Sequence, residues 1–120
     1  MFATFMLQGQ DTLRGPHGGA IKSSGNYRVE LLECNEYFEA YLFTKDMDGM
    51  SNYGITGDIK YFYSNGTSKS SPLTFYGNDG FTAKVPDGGF IYCRVTMDIL
   101  GTPISIKFEN QDCSIGAKNP

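Results

Sequence analysis

Alternation with a period of two runs through most of this chain, and it leaves little room for any architecture but antiparallel sheet. Ile104, Ile106 and Phe108 alternate with Ser105, Lys107 and Glu109, the pattern of a strand with one buried face. Phe38, Ala40 and Leu42 alternate in the same way, but Tyr41 and Phe43 on the opposite phase are also apolar. That strand therefore belongs in the middle of the fold or is covered on both sides. No stretch carries a helical period of useful length. Candidate strands cover about 19–23, 26–33, 37–44, 55–63, 72–76, 80–85, 90–98 and 103–109.

Between them lie Ser24-Gly25-Asn26, Asp48-Gly49, Ser64-Asn65-Gly66, Asn78-Asp79-Gly80, Pro86-Asp87-Gly88-Gly89 and Gly101-Thr102-Pro103. Asn-Gly and Asp-Gly supply the positive backbone angles of tight hairpins. Short strands at this spacing predict an all-β chain: an antiparallel two-sheet β-sandwich, Ig-like in general plan, with about seven or eight strands. A small closed barrel is the competing arrangement.

The 120 residues suit one domain, expected over 11–113 with a polar, flexible tail over 114–120. The net charge of −3 argues against a nucleic-acid partner, because phosphate contacts need clustered Lys and Arg. No apolar run reaches the roughly 18 residues of a membrane-spanning helix. Residues 1–10 are apolar and uncharged, then give way abruptly to Asp11-Thr12-Leu13-Arg14. They read as the remnant of a secretory signal peptide lacking its basic start, with a first edge strand as the alternative. The signal reading implies a periplasmic or secreted protein whose mature chain begins near Asp11.

Cysteine usage fits export. Cys34 and Cys113 fall just past the ends of strand-like runs, whereas Cys93 shares the apolar phase of Ile91, Val95 and Met97. Three single pairings can be drawn; the expected disulfide is Cys34–Cys113, with Cys93 a reduced packing residue.

Chemistry-bearing residues are few. The one histidine, His17, sits in Gly15-Pro16-His17-Gly18-Gly19, where Pro16 fixes a backbone angle and the glycines open conformations closed to other residues. Glu30 lies on the outward phase of the next strand, opposite Val29 and Leu31. Met47 and Met50, with Met97 or a cysteine as further sulfur, offer donors suited to Cu(I). The candidate metal set is His17, Glu30, Met47 and Met50. Against it stands the reading of His17 and Glu30 as solvated residues and of the methionines as packing. Lys45-Asp46-Met47-Asp48-Gly49-Met50-Ser51-Asn52 lacks the spaced oxygens and closing Glu of a calcium loop and reads as a connection. No phosphate-cradling loop opens a helix, and a Cys–His nucleophile pair would need His17 to reach a buried thiol. The chain is therefore expected to be non-catalytic. Tyr53, Tyr61, Tyr63, Tyr76 and Tyr92 are candidates for an exposed aromatic face.

Gly15-Pro16-His17-Gly18-Gly19, Gly25, Val29-Glu30-Leu31 and Glu39-Ala40-Tyr41-Leu42 together resemble small exported bacterial domains associated with copper and heavy-metal resistance and efflux. In those domains an N-terminal His-Gly-Gly precedes a strand carrying a glutamate. The stretches Gly54-Ile55-Thr56-Gly57 to Gly66-Thr67 and Gly80 to Lys84 are similar to their continuation, so the likeness spans roughly 15–109. It implies a periplasmic β-sandwich handling a soft metal, copper being the expected ion. His17 and Glu30 match the shared positions and the methionines do not. Envelope efflux components or a second copy of the chain are the expected partners, with no nucleic acid and no membrane span. The alternative function is a structural or adhesive Ig-like module binding proteins or glycans through an aromatic sheet face.

Overall fold

The computed structural model describes residues 13–113 except Asn35. The expectations for a signal remnant over 1–10 and a tail over 114–120 fall on residues outside that set. Among the described residues, ten strands run in chain order: β1 (Leu13–Arg14), β2 (Ala20–Ser24), β3 (Tyr27–Cys34), β4 (Tyr37–Thr44), β5 (Ile55–Phe62), β6 (Ser68–Pro72), β7 (Thr74–Tyr76), β8 (Gly80–Lys84), β9 (Tyr92–Ile99) and β10 (Thr102–Glu109). A four-residue helical turn, α1 (Asn110–Cys113), follows. The strands form two sheets, β1-β2-β3-β4-β8-β7 and β10-β9-β5-β6, and every pairing is antiparallel. The all-β two-sheet sandwich is the observed fold.

The alternating residues of both sheets meet in one interior. Val29 and Leu31 of β3, Phe38, Ala40 and Leu42 of β4, and Phe81 and Ala83 of β8 face Ile59 and Tyr61 of β5. Val95 and Met97 of β9 and Ile104, Ile106 and Phe108 of β10 complete the layer. Burial of side chains of this size contributes about 1.5–3 kcal/mol each. β4 lies between β3 and β8, and its outer phase is covered as well, with Glu39, Tyr41 and Phe43 all buried.

Two strand expectations are corrected. A single strand over 72–76 does not exist: β6 ends at Pro72, which lacks an N–H, and the chain crosses at Leu73, whose N–H bonds Gly57 O at 3.0 Å. Thr74–Tyr76 then joins the other sheet against β8. β6 itself escapes a search for alternation because it is a polar edge strand, Ser-Lys-Ser-Ser-Pro, exposed almost throughout. Tyr61 is likewise an interior side chain with no exposed surface, not part of an aromatic outer face.

Candidate functional site

Adjacent strands of the six-stranded sheet bring Ile21, Glu30, Tyr41 and Gly80 into one transverse row on the outer face. Glu30 is fully buried in that row, and the turn between β1 and β2 closes over it. The main-chain N–H groups of His17 and Gly19 both donate to Glu30 Oε2, at 2.9 and 2.8 Å. His17 Nδ1 lies 2.8 Å from Glu30 Oε1. A carboxylate that accepts throughout is the arrangement a buried acid requires, since an unpaired one would carry a large desolvation cost.

The Gly-Pro-His-Gly-Gly sequence makes this clasp possible. A Cβ on Gly15 would lie on top of the Glu30 carboxyl group, and one on Gly19 would come within 2.5 Å of Leu31 O. Gly18 has φ +89, a left-handed conformation that L side chains rarely adopt. The turn is closed by Gly15 N–H to Gly19 O at 2.8 Å and Gly18 N–H to Gly15 O at 3.0 Å, and Arg14 Nη1 donates to Gly18 O at 2.7 Å.

In the tautomer whose Nδ1–H donates to Glu30 Oε1, the ring's lone pair is left on Nε2. The ring stacks flat on Tyr41, with centroids 3.6 Å apart and planes 6° from parallel, and stands 6.4 Å from the ring of Phe43. Its side chain remains 36% exposed. Tyr41 is fixed from its other end, its hydroxyl donating to Glu39 Oε1 at 2.8 Å. Burial, and then that bond to Glu39, push the Tyr41 hydroxyl well above the ordinary tyrosine value, so it stays a donor at neutral pH.

Met47 and Met50 separate. Met47 packs with Ile21, Tyr41 and Phe43, the ring cluster on which His17 rests, whereas Met50 packs against the interior between the sheets. Met47 has φ 71, uncommon for a non-glycine residue. Its N–H bonds Thr44 O at 2.9 Å, closing the turn that brings Met47 to this cluster. The metal set expected from sequence therefore divides: His17, Glu30 and Met47 share one face and Met50 does not. Glu30 is spent on the turn and on Nδ1, so it orients the imidazole. Tyr41, absent from the expected set, is the floor of the site. Its signal was an aromatic on the outward phase of a central strand, in register with Glu30. Among the described residues, no group of three or more His, Cys, Asp and Glu gathers in a way that could hold a metal ion.

The expected Cys34–Cys113 bridge is not formed. Cys113 is a free thiol whose Sγ lies 3.9 Å from Cys93 Sγ. Cys34 shares the outer phase of Glu30 and Leu32, with its Sγ 4.0 Å from Leu32 O, whereas Cys113 belongs to the interior. The exposed aromatics also collect elsewhere. An open groove of ≈ 580 Å³ at the β7–β8 end is lined by Tyr37, Pro72, Thr74, Tyr76, Thr82 and Lys84 among others. Tyr76 is 48% exposed there, and Tyr53 stands 83% exposed in the β4–β5 connection.

Set beside known proteins, the chain matches no family model, no curated protein and no solved structure.

Proposed function

We propose that this domain is a non-catalytic accessory module of the bacterial envelope that captures a soft metal ion such as Cu(I) as cargo, in support of metal efflux or homeostasis. The observation that carries this reading is the contact of Glu30 with His17 Nδ1. Metal-ligating histidines characteristically give their other ring nitrogen to a carboxylate, which fixes tautomer and orientation and strengthens the ligand nitrogen. Nε2 is then the donor, the Met47 thioether on the same ring cluster is the soft neighbour, and Glu30 is a positioning residue. Such a set holds an ion with coordination positions to spare, so an efflux component or a second copy of the chain completes the shell. An incomplete shell suits an ion that must be passed on.

Titration with Cu(I) against a competing chelator tests this. The intact protein should compete, His17→Ala should not, and Glu30→Gln should weaken capture while the fold persists. Absence of capture, or capture indifferent to His17, overturns the reading. A second reading is favoured by the groove beside Tyr37 and Tyr76: a protein- or glycan-binding module whose contacts are aromatic and hydroxyl-rich. It predicts a ligand lost in Tyr76→Ala and retained in His17→Ala.

A further inference from the structure

Cys93 and Cys113 both have no exposed surface, and their sulfurs are 3.9 Å apart. They come from different elements, β9 and α1, and meet inside the apolar layer with Tyr61, Val95 and Phe108. Two thiols facing each other in an apolar interior satisfy packing no better than two small hydrophobes would. Their mutual approach, however, brings together the two sulfurs that a disulfide would join.

The last turn is held against the body by other means as well. Lys22 Nζ of β2 pairs with Asp112 Oδ2 at 2.8 Å and lies 5.5 Å over the Phe108 ring. Asp112 Oδ2 also accepts from Glu109 N–H at 2.9 Å. These contacts, bridging the two sheets, set Cys113 on Cys93 rather than on Cys34. The neighbouring Cys93 thiol, and then burial, hold the Cys113 thiol well above the ordinary cysteine value, which silences it as a nucleophile while the turn is docked.

We infer that Cys93 and Cys113 are a disulfide site that covalently fastens the last turn to β9 when the chain meets a small-molecule disulfide. Cys113, exposed and deprotonated while the turn is undocked, attacks one sulfur of RSSR. A mixed disulfide forms and RS⁻ leaves, taking up a proton. The Cys93 thiolate then attacks the Cys113 sulfur and expels the second RS⁻, which is protonated in turn. Two protein thiols lose two protons and two electrons, and RSSR becomes two RSH. Docking afterwards buries the bond away from reductant. This site is independent of the metal reading and stands whether or not His17 binds an ion.

The test is to unfold the full chain in reductant, refold it in a glutathione redox buffer, alkylate, and map the peptides. The expected product has one bridge, Cys93–Cys113, and Cys34 alkylated after denaturation. The Cys34→Ala variant should form the same bridge, whereas Cys113→Ala should form none. Closing the loop should raise the thermal midpoint by about 10 °C over the reduced protein. Three alkylated cysteines, or a bridge that includes Cys34, would overturn the inference.

Discussion

On its inner face the six-stranded sheet presents Val29, Leu31, Phe38, Ala40, Leu42, Phe81 and Ala83. On its outer face the same strands bury Glu30, Glu39 and Tyr41, with His17 stacked above. Both faces are closed to water, but by different physics. The inner one is held by area and shape, which many apolar side chains satisfy. The outer one is held around Glu30 and Tyr41 by directed bonds to specified partners, although Arg28 Nε on the same phase of β3 is buried without one. Substitution should therefore be forgiven on one face and punished on the other, even between neighbours in the chain.

Glu30→Leu breaks or upholds that contrast most directly. It removes the acceptor of two main-chain amides and of Nδ1, and should cost about 3 kcal/mol in denaturant unfolding. Leu31→Ile, one residue on, should cost less than about 1.5 kcal/mol. Equal losses would mean that the outer face is merely another apolar core. Gly15→Ala drives a methyl into the same carboxylate and should destabilise by about 2 kcal/mol.

Alkaline titration compares the regions through their buried acids. Burial holds Tyr41 on the outer face and Tyr61 in the interior protonated above the ordinary value of 10.0. The neighbouring Cys93, then burial, does the same for Cys113 above 9.0. The unfolded chain ionises these groups near their ordinary values and the folded chain does not. Stability is then full below about pH 9 and falls as the pH rises beyond it. Unfolding midpoints measured across that range should show the fall, and Cys113→Ala should make it shallower. The smallest effect belongs to neither face. Leu100, 72% exposed with φ 53, occupies the two-residue turn between β9 and β10. Leu100→Asn should stabilise by about 0.5–1 kcal/mol, read as a higher thermal midpoint.

The same contrast explains what could be read from the chain beforehand. β3, β4, β9 and β10 announce themselves because their inner phase is apolar over several residues. β6 does not, since an edge strand with both faces wet carries no period. At the site, the phase of Glu30 was legible and its burial was not, because burial depends on a turn of glycines folding back across the strand. Met47 and Met50 are three residues apart in a connection, and nothing local says that one faces outward and the other inward. For the cysteines, strand ends were visible, but nothing local says that the turn after β10 brings Cys113 back into the interior beside Cys93.

β6 has a consequence for how this domain behaves among its own kind. A sheet grows by lending its outermost hydrogen-bonding groups to the next chain that arrives. Here one of the two edge strands of the smaller sheet is five residues long, carries Lys69 as its second residue and stops at a residue that cannot donate. An incoming strand would find a cation to desolvate and too short a rail to follow. At high concentration the protein should stay dispersed along that side, and any self-association should proceed through its other surfaces.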